Sequence, residues 1–202
     1  MYIYLVRHGE TEWNKRGLLM GHKNSPLTEK GKMQAMELGK KLSDIPFDAV
    51  YSSDSERAIE TTKIILDKQD HTIITTPHLR ERNFGRFEGK TRAEMDAHTV
   101  AFEDLEDSDK FVYKVYPDIE SDDELIKRFF IFLEVLRDTN HENVLVVCHG
   151  GVIKSILLHL KHLQYDNHKA YSIHSVSNSS IVKLHYASNT LSLEETHGII
   201  QA

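Results

Sequence analysis

Two short apolar runs constrain this chain more than any other feature of it. Residues 1–6 are rich in β-branched and aromatic side chains and stop at Arg7-His8-Gly9. Residues 144–148 are apolar without a break and stop at His149-Gly150-Gly151. An uninterrupted apolar run of this length suits a strand whose sheet is covered by helices on both faces. Two such strands ending in the same His-Gly pair set two imidazoles at strand ends, where a turn begins.

The sequence between and after these runs alternates in period. Gly31, Ala35, Leu38 and Leu42 recur at helical spacing from Thr28, with Pro26 before and Pro46 after, which predicts a helix of about four turns. Residues 49–52 read as a second strand. Ser53 and Glu56 stand at capping-box spacing, which predicts a helix that starts at Ser53, presents Ala58, Thr61, Thr62 and Ile65 on one face and holds Arg57 in its first turn. A third strand is expected over 72–76, followed by a loop carrying Arg80, Glu81 and Arg82. Thr91 with Glu94 opens an acidic, irregular stretch to about Lys110. Ser121 with Glu124 opens an amphipathic helix through Leu125, Phe129, Phe132, Leu133 and Leu136. Residues 152–160 read as helix, and residues 180–186 and 190–193 as a closing hairpin around Ala187, Ser188 and Asn189.

Strands alternating with helices predict the α/β class, a three-layer α/β/α sandwich around a mainly parallel sheet. At 202 residues the chain has the length of one domain, expected to span 1–202 with a cap-like insertion at about 90–120 over the active-site end. Ligands of such sheets bind beyond the carboxyl ends of the strands, where both His-Gly turns fall.

Charge narrows the partners. With 31 acidic against 25 basic residues the net charge is -6, which disfavours bulk capture of nucleic acid or of an anionic membrane, so any anion must be caught locally. Cys148 is the one cysteine and forms no internal disulfide, as suits a reducing compartment. The apolar run before Arg7 is too short for an export signal, and Lys154 and His159 interrupt the longest late apolar region, so a soluble cytoplasmic protein is expected. Thirteen histidines invite a metal. Yet His159, His162, His168, His174 and His185 show no tight ligand spacing, and no carboxylate or cysteine completes a set. No metal is expected, and these histidines read as surface or interface residues.

The remaining polar residues at strand and helix ends are Arg7, His8, Arg57, Glu81 and His149. Two guanidinium forks can grip phosphoryl oxygens and hold charge that builds during transfer, and the start of the helix carrying Arg57 adds a positive end. Nearby guanidinium groups disfavour protonation of His8, which leaves its imidazole a competent nucleophile toward phosphorus. His149 is placed to bond a non-bridging oxygen, and Glu81 is the candidate acid for the departing alkoxide.

These residues carry a resemblance. Leu5-Val6-Arg7-His8-Gly9-Glu10-Thr11-Glu12-Trp13-Asn14 resembles the signature of the histidine phosphatase superfamily, the phosphoglycerate mutase-like family. Gly21-His22 with Ser25-Pro26-Leu27-Thr28, the stretch from Ser52 to Ala58, Leu79-Arg80-Glu81 with Phe84-Gly85 and Glu88-Gly89, and Cys148-His149-Gly150-Gly151 extend it in the family's order. The resemblance implies that His8 becomes a phosphohistidine, that Arg7, Arg57 and His149 bind the phosphoryl group, and that Glu81 serves as acid and then base. It further implies pocket contacts from Asn14, the Gly150 backbone, Gly21 and His22, and no metal or other cofactor.

Within that family the choice is between phosphatase and mutase. Mutases resemble one another in a Tyr three residues after the acid, a Lys further on and an adjacent Arg pair in the insertion. This chain has Phe84 and Arg92, and the stretch 103–109 is acidic except for Leu105 and Ser108. An acidic cap repels a second anionic group and leaves room for water, which favours hydrolysis of a small phosphomonoester. Phosphoglycerate mutation is the alternative, and a non-catalytic module that binds a phosphorylated ligand is the alternative of another class. The expected ligand is a small phosphomonoester or inorganic phosphate. The closing hairpin offers either a free edge or the seam of a homodimer. Cys148 reads as core volume, Trp13 as stacking or packing residue, and Glu10 and Glu12 as solvated loop residues.

Overall fold

Side-chain alternation along the central strands builds two cores, one on each face of the sheet. The computed structural model describes residues 1–67, 69–99, 102, 104–165 and 176–200. Among these, six strands form one sheet in the order β3-β2-β4-β1-β5-β6, with β1 Tyr2–Arg7, β2 Ala49–Ser53, β3 Ile73–Thr76, β4 Asn143–Cys148, β5 Val176–Ala187 and β6 Thr190–Ile199. The first four are parallel to one another, and β5 and β6 continue the sheet antiparallel beyond β1. The helices are α1 Glu12–Lys15, α2 Glu29–Leu42, α3 Glu56–Leu66, α4 Arg92–Asp96, α5 Asp107–Val112, α6 Asp122–Arg137 and α7 Gly150–His159.

Successive strand residues point to opposite faces. Ile3, Leu5, Ala49, Tyr51, Val144 and Val146 pack with Leu125, Phe129 and Leu133 of α6 and Val152, Ile153 and Ile156 of α7. Tyr4, Val6, Val50, Leu145 and Val147 pack instead with Ala35, Leu38 and Leu42 of α2 and Ala58, Ile65 and Leu66 of α3. The apolar runs are unbroken because both faces are dry, and the arrangement is the expected sandwich with a mostly parallel sheet. Leu125, Phe129, Leu133 and Leu136 of α6 are fully buried, each worth roughly 1.5–3 kcal/mol when taken out of water. A third cluster, Phe84, Phe87, Met95, Phe102 and Ile119, gathers residues between β3 and α6. No helix among the described residues is long and apolar enough to cross a membrane. Glu103, part of the acidic stretch, lies outside the described residues.

The capping boxes at Thr91/Glu94 and Ser121/Glu124 form as read, and a further one forms at Thr11/Asn14, where Asn replaces the usual Glu or Gln. The box expected at Ser53/Glu56 does not form. Ser53 is held in the ladder opposite Thr76, so the chain stays extended and the helix starts at Glu56 with Ser55 as its cap. Arg57 keeps its place in the first turn. α7 starts earlier than read, at Gly150, because His149 itself takes the extended cap conformation. The hairpin is longer than its apolar pattern suggested. Its turn is Ser188-Asn189, both left-handed with φ +49° and +59°, and Ala187 belongs to β5.

The loop after β1 lies directly on α2. A Cβ at Gly9 would sit 2.3 Å from the Gly31 carbonyl oxygen, and one at Gly31 would sit 2.1 Å from that of Glu10. In an ordinary helix interior Gly→Ala stabilises by about 1 kcal/mol. At Gly31 the backbone contact reverses the sign, so Gly31→Ala is expected to destabilise by about 1–3 kcal/mol. A lower urea midpoint agrees with this packing; a raised midpoint contradicts it.

Candidate active site

β1 and β4 are neighbours in register, with Arg7 opposite Cys148, so His8 and His149 leave the sheet at the same level. The His8 N–H donates to the Cys148 carbonyl at 3.1 Å, and the two imidazole centroids stand 5.1 Å apart. Both rings are buried. His8 Nδ1 lies 2.8 Å from the Gly9 carbonyl oxygen. A carbonyl only accepts, so Nδ1 carries the hydrogen and Nε2 presents its lone pair. His149 is the reverse case. Arg57 Nη2 lies 3.2 Å from His149 Nδ1. A guanidinium only donates, so this nitrogen accepts and Nε2, 3.4 Å from Ser55 Oγ, carries the hydrogen. Burial first, then the charges of Arg57 and Arg7, hold His8 well below the usual imidazole range. Burial first, then Arg57, does the same for His149.

The guanidinium groups are anchored by backbone. Arg57 donates to the carbonyls of Gly21 at 2.9 Å and Lys23 at 2.8 Å, and Arg7 donates to that of Val176. Burial lowers Arg7 and brings Arg57 down to about 10, against the opposing pull of Glu81, so both remain cations near neutrality. Arg7 Nε and Arg57 Nε are buried with no hydrogen-bond partner among the described residues. Gly150 lets the Arg7 guanidinium pass, since a Cβ there would sit 3.1 Å from Nε.

Glu81 faces these cations with both oxygens held. Oε1 accepts from Arg82 N at 2.7 Å and Oε2 from Gly151 N at 3.2 Å. A Cβ at Gly151 would sit 2.1 Å from Oε1, so the carboxylate needs glycine there. Asn14 Oδ1 accepts from Thr11 N, and Asn178 Nδ2 reaches both that oxygen and the His8 carbonyl. His22 stands exposed at the rim, its Nε2 donating to the Glu81 carbonyl at 3.1 Å and its N–H donating to Glu88 Oε1 at 2.8 Å. Gly21, at φ +55°, turns the chain so that the same Glu88 oxygen fits beside it. A cavity of about 140 Å³ lined by Gly21, His22, Asp54, Ser55, Arg57, Arg80 and Glu81 opens onto the group.

The structure therefore brings Arg7, His8, Arg57, Glu81 and His149 together, with Asn14, Gly21, His22 and Gly150 around them. Sequence reasoning missed Ser55, Asn178 and the carboxylate contact of Gly151, whose N–H reads from the sequence as that of a turn glycine or as a donor to phosphate but in the structure holds Glu81. Arg80 is held at the rim by Asp54 through two bonds of 2.6 and 2.7 Å, and Arg82 turns inward to Asp122. Cys148 is fully buried and burial pushes its thiol up, as fits core volume. The Trp13 ring lies against Gly89. Glu10 pairs with Lys30 at 2.9 Å. Among the later histidines, His159 packs against Phe111 and Phe130 and His185 against Tyr2, while His168 and His174 lie outside the described residues.

Residues 3–197 match the profile of the histidine phosphatase superfamily (branch 1). The chain belongs to this superfamily. Among its relatives, a putative phosphoserine phosphatase 2 of Hydrogenobacter thermophilus is 34% identical over 184 residues, covering 91% of this chain and 88% of that protein. A 2,3-bisphosphoglycerate-dependent phosphoglycerate mutase of Streptococcus gordonii is 31% identical over 204 residues, covering 81% and 85%. Among solved structures, YhfR of Bacillus stearothermophilus superposes with a TM-score of 0.81 at 30% identity, covering 99% of this chain and 98% of that one. Histidine phosphatase relatives thus include proteins named for hydrolysis and for mutation, and the fold matches theirs.

The neutral imidazoles have a consequence for stability. Unfolded, each titrates near ~6.5; folded, each lies lower, so the unfolded chain binds more protons and stability falls as pH drops below about 6.5. Each group contributes a slope of up to ~1.4 kcal/mol per pH unit until its folded pKa is reached. Urea unfolding across this window should show the loss, and His149→Asn should reduce the slope by about half. An unchanged slope in that variant would contradict a buried neutral His149.

Proposed function

We propose that this histidine phosphatase superfamily member hydrolyses a small phosphomonoester through a phosphohistidine on His8. The observation that carries the reading is the pair of neutral histidines in opposite tautomers between two buried guanidinium groups. Arg7, Arg57, the His149 Nε2–H, the Asn14 amide and the Gly150 N–H receive the phosphoryl oxygens. His8 Nε2 attacks phosphorus while Glu81, a carboxylate in the free site that takes up a proton as the phosphate dianion binds beside it, gives that proton to the leaving alkoxide. The alcohol departs, and Glu81 then takes a proton from the water that attacks the phosphohistidine. Inorganic phosphate forms and the His8 lone pair returns. The cationic charge comes from arginine, so the proposal needs no metal, and a chelator is expected to leave turnover unchanged.

Hydrolysis is favoured over mutation by the state of the cations near the acid. Each arginine between residues 80 and 120 is paired with an aspartate: Arg80 with Asp54, Arg82 with Asp122, Arg86 with Asp118 and Arg92 with Asp96. A phosphoglycerate turning within the site would need cations for its second anionic group, and these four guanidinium groups are already paired. The described residues of the stretch 90–120, with the apolar cluster around Phe87 and Met95, form the proposed wall over the leaving-group side. Persistence of the whole set from Arg7 to His149 weighs against a purely binding role, and the buried thiol of Cys148 suits a cytoplasmic setting.

Two assays test this. Phosphate release from a panel of phosphomonoesters is expected to exceed isomerisation of 3-phosphoglycerate; isomerisation without release would establish the mutase reading instead. Glu81→Gln is expected to lower kcat/KM for an alkyl phosphate by about 10²–10⁴ while sparing an aryl phosphate whose phenol leaves unprotonated. Equal losses on both substrates would remove Glu81 as the acid.

A further inference from the structure

Behind Glu81 lies a buried polar cluster that none of these steps uses. Arg82, Asp122 and Ser155 are almost wholly excluded from water. Arg82 Nη2 donates to Asp122 Oδ1 and, at 3.1 Å, to Ser155 Oγ, while Nη1 donates to the Glu120 carbonyl at 2.7 Å. The Ser155 hydroxyl donates to the same Asp122 oxygen. The Tyr165 hydroxyl donates to Asp122 Oδ2 at 3.1 Å, and its ring stands 5.9 Å from that of Phe102 in the third apolar cluster. Burial alone would raise the Asp122 carboxyl, but Arg82, Lys154 and the Ser155 hydroxyl outweigh it and keep the group ionised.

The placement of this cluster relative to Glu81 is specific. The two N–H groups that hold the Glu81 carboxylate belong to Arg82 and Gly151. The first is the residue whose side chain the cluster clamps. The second lies one helical turn before Ser155 on α7. Asp122 therefore ties the loop carrying Glu81 to the helix supplying its second donor, at the start of α6. A buried ion pair adds little net stability over apolar side chains of the same volume, whereas its directional bonds fix geometry.

We propose that Asp122, acting through Arg82 and Ser155, positions Glu81 for proton transfer, and that the Tyr165 hydroxyl links this hold to the apolar cluster around Phe102. The proposal rests on the reading of Glu81 as the acid. Asp122, Arg82, Ser155 and Tyr165 are positioning residues and touch no reacting atom. A loosened cluster lets the carboxyl drift from the leaving oxygen, so the loss falls on substrates that need a proton.

The test compares kcat/KM for an alkyl and an aryl phosphate in the full chain and in Asp122→Asn, Ser155→Ala, Tyr165→Phe, Glu81→Gln and the Glu81→Gln/Tyr165→Phe double variant. Asp122→Asn is expected to cost the alkyl substrate about tenfold or more beyond its cost to the aryl one. The two hydroxyl deletions, which keep the ion pair and carry the test if Asp122→Asn does not fold, should shift the ratio the same way by a smaller factor. In the Glu81→Gln background Tyr165→Phe should add no further shift. If Glu81→Gln shows the bias while the cluster variants lower both substrates equally or neither, the positioning proposal falls alone. If Glu81→Gln shows no bias, the acid reading falls and takes the proposal with it.

Discussion

Two guanidinium groups kept out of water beside two imidazoles govern the rest of this molecule. Arg7 and Arg57 cannot shed their charge near neutrality, so the cost of burying cations falls on His8 and His149, which stay neutral. Neutrality then has direction. The Gly9 carbonyl demands a hydrogen on His8 Nδ1, and Arg57 demands a lone pair on His149 Nδ1. One ring is left to give electrons and the other to give a hydrogen bond. Glu81 is the carboxylate that offsets this charge, and its two oxygens are held by backbone N–H groups.

The sandwich exists, in functional terms, to bring these groups level. β1 and β4 run parallel at the centre of the sheet and end at the same height, so residues 141 apart in sequence become neighbours. β2 ends alongside β4 and delivers Arg57 through the first turn of α3. β5, on the other side of β1, delivers the Val176 carbonyl and Asn178. Dry cores on both faces hold the strand ends rigidly, glycines at 9 and 31 permit a backbone approach that any Cβ would obstruct, and those at 150 and 151 leave room for the Arg7 and Glu81 side chains.

Much of this is legible in the residues, and the illegible part has a physical pattern. The strands before His8 and His149, the helix face through Phe129 and Leu133, and the boxes at Thr91 and Ser121 are local signals written within a few residues, and they form. Ser53 shows how a local signal loses: its capping spacing is real, but pairing with Thr76 keeps it in the sheet. Ser55, Asn178, Asp122 and Tyr165 meet their partners across long stretches of chain, such as the 94 residues between Ser55 and His149. No spacing rule reports such a contact. The orientations of Arg80 and Arg82 are illegible for the same reason, since only Asp54 and Asp122 determine that one guards the rim and the other turns inward. The hairpin reads short in the sequence because half-exposed β6 lacks a continuous apolar face.

The account stands or falls on where the phosphoryl group goes. The direct measurement is a rapid base quench of the protein turning over a phosphomonoester labelled in its phosphate, followed by mapping of the acid-labile label. The label is expected on Nε2 of His8, absent from His8→Ala, and chased by water to inorganic phosphate. Steady turnover with no trapped label, or label on any other residue, would contradict it.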